Sequence, residues 1–265
     1  MLRVAHFITR WSKPHAVSLS MKYLPHISSG EIRTAAYIEK AHRLLQRRFP
    51  RALWIGSPGD PRVALSFDDG PAPRDTDALL TVLARHGVPA TFFNVGERVA
   101  SHPALTRTVA EAGHQLGIHG YRHRAFPLVA TPTLHDELRH TQDVLADATG
   151  RNPADFRYVR PPFGWFTPAT LRRLEAWRFR PVMWTVVPPH WLQNQQRTYS
   201  DITREMCDSA ILVLHESLPG PPVARLTDEI LSRLEDRGFT FTSIDCMWQT
   251  VFHTSPAVST SSPQE

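Results

Sequence analysis

The chain has 265 residues with a formal net charge of +5, 42% hydrophobic and 21% charged residues, a composition typical of a globular protein rather than a disordered or fibrous one. No run of about 18 apolar residues occurs, which excludes a membrane-spanning helix. Cys207 and Cys246 are the only cysteines and form no CxxC pair. A thiolate zinc site and a disulfide framework are therefore excluded.

The first part of the chain is strongly basic. Residues 1–51 hold ten basic and two acidic side chains, and residues 31–49 have helical apolar spacing. Residues 1–61 are therefore predicted to form a basic, partly helical N-terminal arm, either a solvated amphipathic helix or a contact for an anionic surface. No secretory signal is legible in residues 1–20, which favours the cytoplasm.

From residue 62 onward, short apolar runs alternate with helical segments. Strands are predicted at 63–67, 90–94, 115–118, 156–159, 181–186, 210–214 and 239–243. Helices are predicted near 75–86, 103–112, 132–148, 168–177, 200–208 and 223–236. This alternation indicates a parallel sheet with right-handed crossovers, hence an α/β fold.

The domain predicted over residues 62–248 has about seven parallel strands and is short for a full (β/α)₈ barrel, which needs about 250 residues. We therefore expect a distorted or shortened (β/α) barrel. A doubly wound open sheet is the alternative, although no GxGxxG follows a strand. Residues 249–265 end in a stretch rich in Ser, Thr and Pro and are predicted to be a disordered tail.

Polar clusters follow five of the predicted strands. They are Asp68-Asp69-Gly70, His119-Gly120-Tyr121-Arg122-His123, Arg160-Pro161-Pro162-Phe163, the segment from Trp184 to Trp191, and His215-Glu216. Any one of them also fits a simpler interpretation, such as a turn, a chance histidine pair or a surface ion pair. Because the carboxyl ends of barrel strands meet on one face, we expect the five to converge on a single site.

The residue types in these clusters suit metal-assisted hydrolysis. Of two adjacent carboxylates, one can bind a cation while the other accepts a proton. His119 and His123 lie four residues apart and can converge on the same ion. Residue 120 is glycine, so the glutamate base of an HExxH zinc site is missing and Asp68 is the candidate base. One carboxylate and two imidazoles form a three-ligand set that suits Zn²⁺ and related divalent metals.

Two more residues extend the predicted site. Arg160 at a strand end is commonly part of a structural ion pair, but a fixed guanidinium beside Asp68 would orient that carboxylate. His215 follows a buried-strand pattern and could be an ordinary core histidine. Facing the site, it would instead protonate a leaving amine as a general acid.

In this order, the motifs resemble those of the NodB-type polysaccharide deacetylases, carbohydrate esterase family 4. The family's T-F-D-D-G appears as Ser66-Phe67-Asp68-Asp69-Gly70, and its H-[S/T]-x-x-H as the segment from His119 to His123. R-x-P-Y appears as the segment from Arg160 to Phe163, and L-x-H as Val213-Leu214-His215. The motif ending in Asp-Trp is matched only at Trp191. The resemblance spans roughly residues 62–245.

The resemblance implies hydrolysis of N-acetyl groups from glycans that contain N-acetylglucosamine, such as chitin oligomers or peptidoglycan, by metal-activated water. It assigns the metal to Asp69, His119 and His123, with Zn²⁺ expected and Co²⁺ or Ni²⁺ as alternatives. Asp68 would be the base and His215 the acid. Arg160 would hold the Asp68 carboxylate in place. The resemblance also implies that the substrate is bound by the backbone N–H of Phe163, by Trp191 and Val213 around the acetyl group, and by Pro162.

Three positions depart from the family pattern. Gly120 replaces a Ser or Thr, which predicts a less rigid metal loop. Phe163 replaces Tyr and loses a hydroxyl but not the backbone N–H. His190 stands where an Asp is expected to pair with the catalytic histidine, and a neutral imidazole supplies no compensating negative charge. We therefore expect a lower pKa for His215 than in members with the Asp.

Two rival functions remain open from sequence. One is a deacetylase or amidohydrolase of a small, non-glycan substrate, and the other is a glycan-binding protein that retains the metal with little turnover. Nucleic-acid binding through the basic arm is not expected. The family's glycan substrates would place the protein outside the cytoplasm.

Overall fold

The structure is a computed structural model that describes residues 34–218 and 222–253. The first part of the predicted basic arm, with any contact to an anionic surface, and the end of the predicted tail lie outside the described residues. Among the residues described, no helix has both the length and the apolar character needed to cross a membrane.

Nine α-helices and seven strands make up the described part of the chain. The strands are β1 (Arg62–Gly70), β2 (Ala90–Asn94), β3 (Gln115–Ile118), β4 (Tyr158–Val159), β5 (Arg180–Pro181), β6 (Ile211–His215) and β7 (Thr240–Thr242). The helices are α1 (Thr34–Arg48), α2 (Thr76–His86), α3 (Gly96–Ser101), α4 (Pro103–Glu111), α5 (Thr131–Thr149), α6 (Pro168–Ala176), α7 (Gln195–Glu205), α8 (Val223–Glu235) and α9 (Ile244–Phe252).

All strand pairs are parallel, and the sheet order is β5-β4-β3-β2-β1-β6, with β7 beside the start of β1. After β5, Val182 pairs with Leu53, and Val186 pairs with Leu212 of β6. The segment that follows β5 therefore reaches back to the opposite edge of the sheet. This confirms the predicted distorted (β/α) barrel.

The alternation of side chains along the strands separates the barrel interior from the helix layer. Leu65 and Phe67 of β1 belong to the large apolar cluster shared with the helices. Ala64 of β1 and Ile211 of β6 belong to a second, smaller cluster that also contains Phe93. Because successive strand residues face opposite sides, Ser66 and Asp68 lie on the same side as Ala64, inside the barrel.

Several boundaries differ from the predicted ones. The ladder with β4 contains residues 180–181, so only Pro181 of the predicted strand 181–186 takes part in it. Helix α7 begins at Gln195, because the Asn194 side chain caps it by accepting the Arg197 N–H, and it ends at Glu205. Helix α9 continues past residue 248 to Phe252.

The end of the predicted N-terminal arm is built into the domain. Ala52, Leu53 and Ile55 are buried, and the Leu53 N–H donates to the carbonyl of Pro181. Residues 52–55 therefore form part of the apolar core of the domain although they precede residue 62, with Leu53 in the cluster inside the barrel.

Candidate active site

The end of β1 brings two adjacent carboxylates to the same site. A regular strand would point Asp68 and Asp69 to opposite faces. Here the register of β1 against β2 shifts between Asp68 and Gly70, and Asp69 has a φ of 69°, in the left-handed region. This irregularity, characteristic of a β-bulge, turns Asp69 towards the site beside Asp68.

Asp69, His119 and His123 converge as predicted, with one ligand atom of each lying within 4.8 Å of the others. The Nε2 atoms of His119 and His123 lie 3.5 and 3.0 Å from Oδ1 of Asp69. Nδ1 of His119 is 2.8 Å from the carbonyl oxygen of Arg160 and donates to it, since a carbonyl only accepts. In the neutral ring, Nε2 of His119 therefore carries the lone pair that a metal requires.

The electrostatics of this triad fit a divalent cation. Oδ1 of Asp69 is buried and has no hydrogen-bond partner of good geometry in the described structure. Burial raises the pKa of Asp69, but the adjacent imidazoles of His123 and His119 outweigh this effect and lower the pKa to about 2. Burial also lowers the pKa of His119. An ionised carboxylate and a neutral imidazole are the forms that bind metals.

Arg160 lies inside the barrel and is fully buried. Its guanidinium donates to Oδ1 of Asp68 at 2.6 Å and to Oγ of Ser66 at 2.9 Å. It also donates to the Met183 carbonyl at 3.1 Å and lies 4.0 Å from the ring centroid of Phe93. Arg160 therefore holds Asp68 in one orientation, with Oδ2 of Asp68 left on the side of His119, 3.9 Å from its Nε2.

His215 stands in register with Asp68 across the β1–β6 pair. Its Nδ1 is buried without a hydrogen-bond partner among the described residues, and burial lowers its pKa. The Trp191 and His215 rings pack edge to face, with centroids 4.8 Å apart. The expected acid and the expected acetyl-pocket aromatic are therefore neighbours.

The other predicted substrate-binding residues lie at or near this site. Phe163 has a φ of 59° and a largely exposed side chain, and its ring packs edge-on against His123 with centroids 4.6 Å apart. Pro162 is buried beside Gly120 of the metal loop. Val213 is buried in β6 two residues before His215, on the same side of the strand.

The backbone around the site is unusually strained. Six non-glycine residues in the described chain have positive φ, and four of them, Asp69, His123, Phe163 and Ser217, lie in the loops that build the site. Such conformations persist where the surrounding structure enforces them, and they cluster at functional sites. Gly120 has a φ of 77°, which glycine adopts without strain, so glycine in place of the family's Ser or Thr suits this conformation.

The sequence profile of the polysaccharide deacetylase family matches residues 55–182, which include Asp68, Asp69, both metal-loop histidines and Arg160. A chitooligosaccharide deacetylase from Rhizobium leguminosarum bv. trifolii is 30% identical over 198 residues, covering 70% of this chain and 91% of the relative. The chain belongs to the NodB-type polysaccharide deacetylases. The assignment made from the motifs is confirmed.

Other members of this deacetylase family match with different coverage. The peptidoglycan-N-acetylglucosamine deacetylase PgdA of Listeria monocytogenes is 31% identical over 69% of this chain, which spans 38% of that protein. The solved structure of the Bc1960 peptidoglycan N-acetylglucosamine deacetylase has a TM-score of 0.71 at 26% identity, covering 77% of this chain and 95% of that chain. BA3943 from Bacillus anthracis, described as a CE4 family pseudoenzyme, shares the fold at 22% identity with a TM-score of 0.68, covering 74% and 68% of the two chains.

His190, the main departure of this chain from the family motifs, accepts a hydrogen bond from the backbone of His215 and not from its side chain. Its Nε2 lies 3.0 Å from the backbone N of His215 and accepts that N–H. Burial, with a smaller contribution from His215, lowers the pKa of His190 to about 3. His190 is therefore neutral at neutral pH and provides no negative charge for a protonated His215.

Glu216 does not replace the missing aspartate. It follows His215 on the opposite side of the strand, is fully buried, and accepts a hydrogen bond from the Thr76 hydroxyl in the helix layer. The sequence interpretation missed Glu216 as a structural partner, and it also missed Ser66 as a partner of Arg160. The period-two spacing of Ser66 and Asp68 in a buried strand places both on one side and could have revealed Ser66 as a partner of Arg160.

Replacing His190 with Asp is expected to shift the alkaline limb of the pH profile of kcat/KM for deacetylation to higher pH, by about 1 pH unit or more. A carboxylate within about 4–6 Å stabilises the charged imidazole and so raises the pKa of His215, and the His190 and His215 ring centroids are 5.7 Å apart. His215 must be protonated to act as an acid, so its higher pKa extends activity to higher pH.

His190→Asn is the matched control, because an amide oxygen can still accept the His215 N–H but brings no charge. Its alkaline limb should stay at the wild-type position. The role assigned to the missing charge would be refuted if the Asp and Asn variants gave superimposable pH–rate profiles.

Proposed function

We propose that the protein hydrolyses N-acetyl groups of glycans that contain N-acetylglucosamine, of the chitin-oligomer or peptidoglycan type. The observation that carries this proposal is the convergence of Asp68, Asp69, His119, His123 and His215 at the carboxyl ends of parallel strands. The relatives whose names specify these two glycan types support the substrate class.

Asp69, His119 and His123 are the residues that would hold a divalent ion, with Zn²⁺ as the first candidate and Co²⁺ or Ni²⁺ as alternatives. When bound, such an ion supplies a Lewis acid that lowers the pKa of water and stabilises negative charge on the acetyl oxygen. Two features support this fit: the lone pair on His119 Nε2, and the position of Oδ1 of Asp69 at 3.5 and 3.0 Å from the Nε2 atoms of His119 and His123.

Asp68 is the proposed base. Arg160 engages its Oδ1, so Oδ2 is the oxygen free to accept a proton from the attacking water. Orientation of this kind contributes to rate, because a base must lie within hydrogen-bond reach of the proton that it removes. Arg160 acts through Asp68 and is therefore a positioning residue.

His215 is the proposed acid. An amine is a poor leaving group, so a proton must reach its nitrogen as the C–N bond breaks and the bonding electron pair stays on nitrogen. Nδ1 of His215 is buried, which leaves the Nε2 proton as the one transferred. The Phe163 N–H, in a loop with positive φ, would donate to the acetyl oxygen; the loss of one such donor costs about 2.7–4 kcal/mol.

The test is acetate release from chitin oligomers and from peptidoglycan fragments. We expect activity with at least one of the two substrates, its loss on treatment with a chelator, and its return on adding Zn²⁺. His123→Ala should lower the rate to that measured without protein, because it removes a predicted ligand. His102→Ala, at an exposed histidine between α3 and α4, should leave the rate unchanged. Chelator-resistant acetate release would contradict the proposed metal dependence.

The second candidate function is glycan binding with little turnover. It is favoured by one observation, the neutral His190 in place of a charged partner for His215. The same experiment separates the two functions, since a binding protein would retain oligosaccharide affinity in a direct binding measurement while releasing no acetate. In that case His190→Asp would be the first variant in which to look for turnover.

A further inference from the structure

Glu216 is a buried acidic residue for which the proposed mechanism has no role. Its side chain is fully buried, and charged side chains are almost never fully buried without a partner. Its Oε1 accepts the Thr76 hydroxyl, but its Oε2 has no hydrogen-bond partner in the described structure. A buried polar atom without a partner costs free energy, so this position calls for an explanation.

Glu216 joins the two segments that carry the proposed base and acid. Its backbone N–H donates to the Asp68 carbonyl at 3.0 Å. Its side chain is linked to the loop after β1, because Thr76 accepts the Ala72 N–H at 2.9 Å and donates its own hydroxyl to Glu216. Glu216 is therefore hydrogen-bonded to Asp68 through its backbone and linked through Thr76 to the loop after β1 by its side chain.

Neighbouring contacts reinforce the same junction. The Ser217 N–H donates to Oδ2 of Asp75 at 3.0 Å. Arg98 donates to both the Asp69 carbonyl and the Ser217 hydroxyl. The junction thus links the loop after β1, the loop after β6 and helix α3.

Gly70 lies so close to Glu216 that any side chain at position 70 would require the Glu216 carboxyl group to move. A Cβ on Gly70 would lie 1.9 Å from Oε2 and 2.9 Å from Cδ of Glu216, and 3.4 Å from Oδ1 of Asn94. Gly70 does not have positive φ, so the absence of a side chain is required by this contact and not by the backbone angle. The residue next to Asp69 is therefore packed directly on the Glu216 carboxyl group.

We propose that Glu216 is a positioning residue that fixes the Asp68-Asp69 turn against the end of the strand that carries His215. This inference rests on the proposed deacetylase function and adds a residue to it. Burial raises the pKa of Glu216 to about 8, and Asp75 acts in the same direction, whereas Thr76 and Arg98 oppose the rise. The uncharged acid is consistent with a structural partner and suggests glutamine as the closest substitute.

The first test compares two substitutions that both fill the buried space. Glu216→Gln keeps an acceptor for Thr76, and Glu216→Met does not. We expect Glu216→Gln to retain most of the wild-type kcat and Zn²⁺ affinity. We expect Glu216→Met to lower kcat and Zn²⁺ affinity by about 10-fold, the lower end of the range for removing a direct partner of a metal ligand, with a smaller change in KM. The affinity is measured on metal-free protein by competition between Zn²⁺ and a chromogenic chelator.

The second test needs neither metal nor activity. Gly70→Ala should lower the thermal unfolding midpoint of the metal-free protein, and adding Glu216→Ala should recover part of that loss. Gly117→Ala is the matched control, because a Cβ there would meet Phe93 at 2.7 Å, away from Glu216. Glu216→Ala should give no recovery in that background.

The outcomes separate this proposal from the proposed function. If the wild-type protein releases no acetate, the proposed function fails. The role of Glu216 is still decided by the Zn²⁺ affinities of the Gln and Met variants and by the unfolding midpoints of Gly70→Ala with and without Glu216→Ala. The role is overturned if the Gln and Met variants have equal Zn²⁺ affinity, or if Glu216→Ala fails to relieve Gly70→Ala.

Discussion

Replacing Arg160 with methionine is expected to lower the free energy of unfolding by about 3–5 kcal/mol, because the change leaves Asp68 as an unpaired buried charge. Arg160 and Asp68 are both buried, and the guanidinium also donates to Ser66 and Met183. Methionine keeps much of the side-chain length, so lost packing contributes less than the lost pairing. The free energy of unfolding is measured by denaturation in guanidinium chloride with linear extrapolation to zero denaturant.

Two further variants identify the cause of that loss. The double variant Arg160→Met/Asp68→Asn removes both charges and should recover part of the stability lost in the single variant. Arg85→Met breaks an exposed ion pair with Asp228 and should cost about 0–1 kcal/mol. A double variant no more stable than Arg160→Met would show that the buried ion pair is not what makes Arg160 necessary.

The sequence predicted the central strands of this fold well and its periphery poorly. Strands β2 and β3 have the predicted ends because they are buried on both faces and stand out as apolar runs. Helix α3 was missed because its six residues are too few to show a helical period. Helix α9 was also missed, although Ser243 caps it and its buried residues Ile244, Met247 and Trp248 have helical spacing.

At the candidate site, the sequence predicted which residues meet but not how they meet. The order of the motifs at strand ends was enough to place Asp69 with His119 and His123, because parallel topology gathers strand ends. The turn of Asp69 onto the same side as Asp68 depends on a register shift and a positive φ. Period-two spacing predicts the opposite orientation, so no sequence pattern could have shown this feature.

The partner of His190 also depended on three-dimensional geometry. The sequence showed that a neutral residue replaces the expected Asp. It could not show that His190 accepts the backbone N–H of His215 rather than contacting its ring nitrogen. The choice between these atoms depends on how the loop before α7 approaches β6.

Replacing His215 with asparagine is expected to lower the rate of acetate release from an N-acetyl substrate by about 10²–10⁴-fold, the usual contribution of a general acid. The asparagine amide cannot supply the proton that the leaving amine needs. His215 is placed for this role by its register opposite Asp68 and by the packing of Trp191 against its ring. Single-turnover measurements isolate the chemical step from product release.

An aryl acetate separates acid catalysis from a general loss of the site. A phenolate leaves without being protonated, so hydrolysis of the ester needs the metal ligands and Asp68 but not a proton from His215. His215→Asn should therefore slow ester hydrolysis much less than amide hydrolysis, whereas His123→Ala should abolish both. Equal losses on the two substrates in His215→Asn would mean that His215 shapes the site without donating a proton. The proton for the amine would then have to come from Asp68, the only other proposed proton carrier at the site.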